Sequence, residues 1–331
     1  SKTIFFGKVK SMYKKVAYIG DMIKKNGPSN VDRRLLENLD VLFIQSTDYK
    51  KLFSKFRSLL KVKIIHSSNL NAMSLILFIF AILLNKKRTL LLHGLIKEEG
   101  KYRRIKFRRY FMEYILILLS NRVFVNSPLL KSQTLDNYKS IIRNDLIVIP
   151  NPIEFNKSQR FYGDKSKFVC IGGGREEKGV LKTCQALDDY IKETGDNVSL
   201  IVLGEFGNDT KAIKMYPFVE YLGFVDTNIV ENKLKESAFF IQYSYQESFS
   251  LAVFEALKNG CKVLMSNKVG AYYFLLGHKG IYIADINSLY SLKRQIEKMK
   301  IDDVRFEKFD LDELKSEQVA NLYKKHWDSY L

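Results

Sequence analysis

The stretch Glu247-Ser-Phe-Ser-Leu-Ala-Val-Phe-Glu255 decides the fold of this chain. It follows the apolar run 239–244, so the pattern predicts a buried strand, a short loop that carries one carboxylate, and a helix. We expect Ser250 to cap this helix and Gly260 to end it in a left-handed conformation. Free backbone N–H groups at such a helix start favour an anion. The stretch therefore predicts a site for a phosphorylated ligand.

Apolar runs typical of strands alternate with helical patterns along almost the whole chain. The predicted strands are 16–20, 41–45, 62–65, 89–93, 123–125 and 147–149, and then 168–171, 199–203, 239–241, 262–265 and 281–283. Helices fit between them, for example at 29–38 and 102–120. This alternation predicts parallel sheets with helices on both faces. We predict an α/β fold of two doubly wound, Rossmann-like domains that face each other across a cleft, with ligands at the carboxyl ends of the strands.

Length and composition support two domains. A chain of 331 residues has room for both, and the proline-containing segment 150–166 predicts the connection between residues 1–152 and 153–310. The helical pattern over 311–331 has no partner in the second domain's pattern. The three cysteines are widely spaced, which predicts buried free thiols and a reducing cytoplasm. The N-terminal apolar run is too short for a signal peptide.

The charge is concentrated in the first half. Residues 1–152 hold 29 Lys and Arg against 10 Asp and Glu, a net +19, and the remainder carries −1. This asymmetry indicates that the first half faces an anionic surface, either nucleic acid or anionic lipid. A solvated lysine-rich surface is the plain alternative. No nucleic-acid-binding module is recognised, so we expect no specific nucleic-acid partner.

Two segments bear on membrane contact. Residues 72–84 are too short for a membrane span, which needs about 20 residues, so we expect a core helix there. The predicted helix 102–120 begins with basic and aromatic residues, a composition typical of an interfacial helix. A partly buried helix with a solvated basic end is the alternative. The basic residues that would contact membrane or acceptor are Arg103, Arg104, Lys106, Arg108 and Arg109.

The spacing Glu-x7-Glu, followed by Ala-Leu-x-x-Gly and a strand, resembles the donor-binding motif of retaining GT-B glycosyltransferases, and most closely that of glycosyltransferase family 4. Gly172-Gly-Gly-Arg-Glu-Glu-Lys-Gly179 resembles the element that opens the family's second domain. Weaker matches follow the family's order at 92–94, 125–127, 149–152, 201–204 and 221–225. Together they cover roughly the whole chain.

The residues supply the chemistry for transfer of a sugar from a nucleotide-diphosphate donor. Cleavage of such a donor leaves a diphosphate of growing negative charge, so catalysis depends on stabilising that charge. Lys178, expected in the first helical turn after a glycine-rich bend, supplies a cation. Arg175 can add a bidentate contact, or it is a surface arginine. Backbone amides at Phe249, Ser250 and Leu251 can bind the same phosphates.

The resemblance implies the remaining roles. Glu255 would accept hydrogen bonds from the ribose hydroxyls, and Glu247 would contact the hydroxyls of the donor sugar. His93, at the end of a predicted strand, would lie near the reacting carbon, although a lone histidine can also be structural. The other expected donor-binding residues are Gly173, Gly204, Val225 and Gly27, although a simple turn would also explain Gly27. His66, which also follows a strand, is a weaker acceptor-site candidate.

The chain departs from the family's pattern at three positions. The family commonly has an arginine where this chain has Gly173, and a glycine where it has Ser250 and where Pro152 follows Asn151. The pattern Asp310-Leu-Asp312 lies away from any strand end, so we expect no essential metal and no cofactor besides the donor. A two-carboxylate glycosidase is disfavoured, because one glutamate precedes the helix and the other lies inside it.

The sequence thus predicts a retaining glycosyltransferase with an acceptor-binding domain at 1–152, a nucleotide-sugar-binding domain at 153–310, and a C-terminal helix that crosses back at 311–331. We expect a lipid-linked saccharide acceptor, a role in capsule, exopolysaccharide or O-antigen synthesis, and a cytoplasmic, peripheral position on the plasma membrane's inner face. The alternatives are a nucleotide-sugar epimerase on the same fold and a basic nucleic-acid-binding protein.

Overall fold

The computed structural model describes residues 14–24, 26–142, 146–155 and 158–331, so the expectation about a signal peptide lies outside the described residues. The strands are Val16–Gly20 (β1), Leu42–Gln45 (β2), Ile64–Ser67 (β3), Lys87–Leu92 (β4), Arg122–Val125 (β5), Leu146–Val148 (β6), Ser158–Arg160 (β7), Asp164–Ile171 (β8), Ser199–Leu203 (β9), Val219–Gly223 (β10), Ser237–Gln242 (β11), Lys262–Ser266 (β12), Ile281–Ala284 (β13) and Phe306–Lys308 (β14).

The helices are Gly27–Leu36 (α1), Tyr49–Ser54 (α2), Phe56–Lys61 (α3), Ala72–Leu83 (α4), Ile96–Glu99 (α5), Phe107–Leu119 (α6), Pro128–Tyr138 (α7), Val180–Thr194 (α8), Thr210–Ile213 (α9), Thr227–Glu236 (α10), Leu251–Lys258 (α11), Tyr272–Leu275 (α12), Leu289–Ile301 (α13) and Ser316–Asp328 (α14). Two 3-10 turns lie at Glu176–Lys178 and Asp312–Leu314.

The first sheet is parallel, with strand order β2-β1-β3-β4-β5-β6. One of its faces is covered by α3, α4 and α6, whose inward side chains join the same apolar core. The other face is covered by α1 and α14. The strand order reverses between β1 and β3, so the loops after these strands diverge and leave a crevice at the carboxyl edge.

The second sheet is also parallel, with strand order β10-β9-β8-β11-β12-β13. Apolar cores lie on both of its faces. Its strand order reverses between β8 and β11, and the loops after these two strands carry the glycine-rich element and the Glu-x7-Glu stretch. The predicted α/β fold of two doubly wound parallel sheets is therefore confirmed.

The two sheets are joined by more than the predicted loop. Within segment 150–166, β7 pairs antiparallel with β14 from the far end of the chain. The last helix, α14, packs on the first sheet, where the indole N–H of Trp327 donates to Thr89 Oγ1 at 3.3 Å. Trp327, Tyr323 and Tyr18 surround His66, which is fully buried. Burial lowers the pKa of His66 to about 3, so its proposed acceptor role is wrong and the side chain belongs to the core.

Three helix predictions need correction. The helix predicted at 102–120 begins only at Phe107, because the chain first forms α5 and then a turn after Gly100. The first helix begins at Gly27 rather than 29, since Asn26 Oδ1 accepts the Ser29 N–H at 3.1 Å and so caps it. Helix α4 is a core helix on one side only: it buries Met73, Leu77 and Ala81 in the core but leaves its opposite side exposed.

The described chain contains no helix that combines the length and the apolar character needed to cross a membrane. The three cysteines, Cys170, Cys184 and Cys261, are buried and free, as predicted.

Candidate active site

The loop between β11 and α11 is anchored so that the Glu247 carboxylate faces the cleft. The backbone N–H of Glu247 donates to the Lys268 carbonyl at 3.1 Å, and the N–H of Gly270 donates to the Glu247 carbonyl at 2.8 Å. A side chain at Gly270 would place its Cβ 1.9 Å from the Ser248 carbonyl oxygen, so the loops pass too close for any other residue. The backbone of Glu247 is therefore fixed by these contacts with the 268–270 loop.

Lys178 reaches Glu247 from the loop after β8. It lies at the end of the 3-10 turn and not, as predicted, inside a helix, because Gly179 adopts φ 61° and separates the turn from α8. The Lys178 ammonium forms an ion pair with the Glu247 carboxylate, and only 13% and 22% of these side chains are exposed. The two predicted ligand-binding groups thus neutralise each other in a partly dry cleft.

Two adjoining cavities meet at this ion pair. Both are lined by His93, Arg175, Lys178, Glu247 and Ser248. Arg175 Nε donates to the Gly172 carbonyl at 3.4 Å, and its guanidinium lies 3.7 Å from Glu177. The cleft therefore joins cations and a carboxylate from the second domain with a histidine from the first.

His93 faces the cleft from the end of β4. Its Nε2 atom is buried and has no hydrogen-bond partner among the residues that the structure describes. Burial lowers the pKa of His93 to about 4, so the imidazole is neutral near pH 7. An uncharged ring with a free, buried nitrogen is suited to one hydrogen bond with a ligand.

Polar contacts that include residues of both domains hold the His93 backbone in place. No role was predicted from the sequence for the residues that form these contacts. The His93 carbonyl accepts the Ser248 hydroxyl and, at 3.2 Å, the Asn126 amide. The Ser127 hydroxyl donates to the Ser248 carbonyl at 2.5 Å. Asn126 and Ser127 lie in the segment 125–127 that matches the family's pattern. That match was the signal in the sequence that could have identified them.

Glu255 lies inside α11, and neither cavity is lined by it. Its carboxylate forms no hydrogen bond within the described chain. Burial raises the pKa of Glu255, and the positive charges of Arg34 and Lys258 partly oppose that rise. Arg34 comes from α1 and donates to the Pro152 carbonyl at 3.0 Å. A half-buried, unbonded carboxylate at this position is open to hydroxyl donors from a ligand.

The start of α11 differs from the prediction. Ser250 precedes the helix in a left-handed conformation, φ 71°, and its side chain forms no capping hydrogen bond. The prediction of a serine cap is wrong, because this backbone turns the hydroxyl away from the first helical N–H groups. Phe249, Ser250 and Leu251 all line the cleft, although the Phe249 ring is largely buried and stacks on Phe254 with 5.2 Å between centroids. Gly260 ends the helix at φ 88°, as predicted.

The predicted glycines and Val225 divide into two groups. Gly27 lines the cleft, and a Cβ there would meet nothing within 4 Å, so the site is open rather than crowded. Gly173, at φ 61°, and Gly204, at φ 125°, lie behind it, where the turns after β8 and β9 are in contact. Val225 packs partly against the core. These three residues do not line the two cavities.

The five basic residues of segment 103–109 are not one group. Arg103 pairs with Glu99 and lines the cleft beside Arg175 and Lys178. The others are exposed and line neither cavity: Arg104, Lys106, Arg108 and Arg109. Within the described residues, no group of three or more His, Cys, Asp or Glu is arranged to hold a metal ion.

Comparisons with known proteins agree with this geometry. The model of the family described as glycosyl transferases group 1 matches residues 152–317. The structure is similar to a sucrose-phosphate synthase from Thermosynechococcus elongatus, with TM-score 0.66 and 13% identity over 96% of this chain and 100% of that chain. It is also similar to the lipopolysaccharide outer core galactosyltransferase WaaB, with TM-score 0.66 and 15% identity over 96% and 99% of the two chains.

A third similar structure is that of Anabaena Alr3699/HepE in complex with UDP-glucose, with TM-score 0.63 and 12% identity over 95% of each chain. At such low identity, these likenesses establish the fold. No curated protein sequence matches this one. Because the family model covers just over half of the chain, the protein belongs to the glycosyl transferases group 1 family. It is a glycosyltransferase with the GT-B fold.

Proposed function

We propose that this protein transfers a sugar from a nucleotide-diphosphate sugar to a saccharide acceptor with retention of anomeric configuration, as a family 4 type enzyme. The observation that carries the proposal is the meeting of Lys178, Glu247 and His93 at one cleft between the domains. Alr3699/HepE, which has a similar fold, is described in complex with UDP-glucose. A nucleotide-sugar donor is therefore the ligand class to test first.

Lys178 and Arg175 would bind the diphosphate and stabilise its charge as the glycosidic bond breaks. In the cleft, Glu247 forms an ion pair with Lys178. A diphosphate would take over the ammonium, and the freed carboxylate would accept hydrogen bonds from the donor-sugar hydroxyls. Because the pair is mostly buried, the exchanged interactions act in a medium of lower polarity than water. The amides at Phe249, Ser250 and Leu251 would add donors at the start of α11.

His93 and Glu255 would fix the two ends of the donor. The neutral His93 ring would hydrogen-bond the transferred sugar near its reacting carbon, since its Nε2 atom has no partner among the described residues. Glu255 would accept hydrogen bonds from the ribose hydroxyls, which would give its half-buried carboxylate hydrogen-bond partners. Gly173, Gly204 and Val225 would shape the nucleotide end of the site. The reaction as proposed needs no metal.

The acceptor would bind to the first domain. We propose that residues 1–152 form the acceptor domain, residues 153–310 the donor domain, and residues 311–331 the helix that crosses back. The excess of 29 basic over 10 acidic residues in 1–152 favours an anionic, lipid-linked saccharide. Such an acceptor would place the enzyme on the inner face of the plasma membrane, in capsule, exopolysaccharide or O-antigen synthesis.

Thermal unfolding with UDP-, GDP-, ADP- and CMP-sugars tests the donor site. A ligand at a hundredfold excess over its dissociation constant stabilises a protein by about 2.7 kcal/mol, so we expect one nucleotide class to raise the melting temperature. Lys178→Ala should abolish the shift. Lys182→Ala, an exposed lysine on the neighbouring helix, is the matched control and should retain it. Absence of a shift with every sugar nucleotide would contradict the proposed donor site.

A further inference from the structure

The outer surface of α2, α3, α4 and α6, which we call the apolar face, is unusually rich in exposed large side chains. Helix α4 is twelve residues long and contains no Asp, Glu, Lys or Arg. Its outward positions Ile76, Ile79 and Leu83 are 48%, 47% and 78% exposed. Their spacing of three and four residues places them along one stripe of the helix.

The neighbouring helices extend this stripe. Phe53 at the end of α2 is 86% exposed, and Phe56 of α3 packs edge-on against Phe80 of α4 with 5.9 Å between centroids. On α6, Phe107 and Phe111 are 81% and 51% exposed and lie four residues apart. Because α3, α4 and α6 all pack into one core on one side of the first sheet, their outward side chains form a single surface.

The segments that form the apolar face are rich in basic residues and poor in acidic ones. From residue 49 to residue 97, the sequence contains ten Lys and Arg and no Asp or Glu. On α6 the single carboxylate, Glu113, is buried and accepts the N–H groups of Ile96 and Lys97. Arg57, Arg104, Lys106 and Arg108 form no salt bridge with any residue that the structure describes, so their charges remain available at the rim.

We propose that the apolar face docks on an anionic lipid bilayer, with the stripe of α4 inserted among the acyl chains and the surrounding cations on the headgroups. Apolar side chains ringed by unpaired Lys and Arg, without carboxylates, are the pattern of interfacial binding. A second copy of this chain fits poorly, because two such faces would bring like charges together. Helix α4 spans about 18 Å, so it lies in the interface and does not cross it.

This inference rests on the proposed function in one respect, which is that a lipid-linked acceptor requires access to the membrane. It differs from the sequence-based prediction in the element that inserts. Arg104 and Lys106 precede α6 and serve as part of the rim, while α4, expected from the sequence in the core, is the principal inserted element.

Co-sedimentation with vesicles tests the docking surface without donor or acceptor. The full chain should bind vesicles of phosphatidylcholine mixed with phosphatidylglycerol, and bind pure phosphatidylcholine much more weakly. Leu83→Asp should weaken binding about tenfold or more. Ile301→Asp is the matched control: Ile301 also ends a helix and is 84% exposed, but it lies in the second domain, so binding should be unchanged.

The charge contribution is measured separately. Arg104→Gln and Arg108→Gln should each weaken binding to the anionic vesicles by about fivefold and leave binding to neutral vesicles unaltered. Lys211→Gln, on the second domain, is the control. Equal binding by Leu83→Asp and Ile301→Asp would overturn the proposal. So would a stable dimer that Leu83→Asp dissociates and that does not bind vesicles, because the face would then be a contact between copies.

Donor-induced thermal shifts of the same variants separate this proposal from the proposed function. All of them should keep the shift, since none lies in the cleft. Vesicle binding without any response to sugar nucleotides would leave the docking surface intact and contradict the transferase site. A donor response without vesicle binding would support the transferase site and contradict the docking surface.

Discussion

The loops that follow the first strand of each sheet are held in place by different kinds of contact. After β1, the chain is held by a buried carboxylate: Asp32 accepts the Tyr18 hydroxyl at 2.7 Å, the Asp21 N–H at 2.8 Å and the Ser68 hydroxyl at 2.9 Å. After β8, the chain is held by backbone contacts at three successive glycines, Gly172–Gly174. The polar groups of the first loop bond to one another, whereas the second loop directs Lys178 into the cleft, where it pairs with Glu247.

This difference matches the division of charge between the domains. Residues 1–152 carry the net positive charge of the chain, and the buried Asp32 carboxylate bonds only to groups of the same domain. The second domain is nearly neutral overall and directs the Lys178–Glu247 ion pair into the cleft. Four predictions test or refine this comparison, in order of decreasing expected effect.

Replacing Lys178 with alanine should have the largest effect. Loss of one group that stabilises transition-state charge commonly costs a factor of about 10² to 10³ in turnover. We expect a loss of that size in kcat for Lys178→Ala, measured with the donor identified by thermal shift, and a change of less than about twofold for Lys182→Ala. Near-normal turnover of Lys178→Ala would show that the glycine-held loop does not present a catalytic cation.

Adding one methyl group to the glycine loop should strongly destabilise the protein. Gly173 adopts φ 61°, and a Cβ there would lie 2.0 Å from the Glu205 carbonyl oxygen. We expect Gly173→Ala to lower the free energy of unfolding by about 3 to 4 kcal/mol, from left-handed strain and overpacking together. Gly195→Ala is the control, because Gly195 has φ 69° but open space around it. Gly195→Ala should lower the free energy of unfolding only by the left-handed strain, about 1 kcal/mol.

Equal losses in urea denaturation of Gly173→Ala and Gly195→Ala would argue against a tight approach of the turns after β8 and β9.

The carboxylate-held loop should show a pH-dependent stability that the glycine-held loop lacks. Burial raises the pKa of Asp32 to about 6 from 3.8. The folded state therefore binds the proton more tightly than the unfolded state, so the contribution is fully favourable below about pH 4 and is lost as the pH rises through 6. At about 1.4 kcal/mol per unit of pKa, the loss is about 3 kcal/mol by pH 7.

Denaturation of wild type and Asp32→Asn between pH 4 and pH 7 isolates this contribution. The free energy of unfolding of the wild type should fall by about 3 kcal/mol relative to the variant across that range. Asp40→Asn, at a site 72% exposed, is the control and should track the wild type. A constant difference between wild type and Asp32→Asn would mean that Asp32 does not gain a proton on folding.

The smallest effect should come from Ser250, at the helix start that borders the cleft. It holds φ 71° without a capping hydrogen bond. Glycine relieves left-handed strain of about 1 to 2 kcal/mol and loses about 0.5 to 1 kcal/mol to entropy. Ser250→Gly should therefore raise the free energy of unfolding by roughly 0.5 to 1 kcal/mol. Destabilisation by this change would show that the serine hydroxyl stabilises the helix start by more than the left-handed strain costs.

Much of the architecture was predictable because it depends on local periodicity. Each predicted strand overlaps an observed one, and the pattern gave the two parallel sheets. The strands β7, β10 and β14 were not among those predicted from periodicity. The family resemblance marked 221–225 at the end of β10, whereas β7 and β14 were missed because each is three residues long and pairs with a segment far along the chain. The exposed side of α4 was missed because an all-apolar run has no polar stripe to indicate which side faces outward.

The sequence by itself determined the fold class, the position of the Glu-x7-Glu helix after a buried strand, and the uneven charge of the two halves, because each is a property of neighbouring residues or of composition. Only the tertiary structure brought Lys178 to Glu247 and joined His93 to Ser248, 155 residues apart. It alone buried His66 under Trp327 and left the stripe of α4 uncovered. These features depend on which loops meet across the cleft and which helices cover each sheet, and both are set by packing between segments remote in sequence.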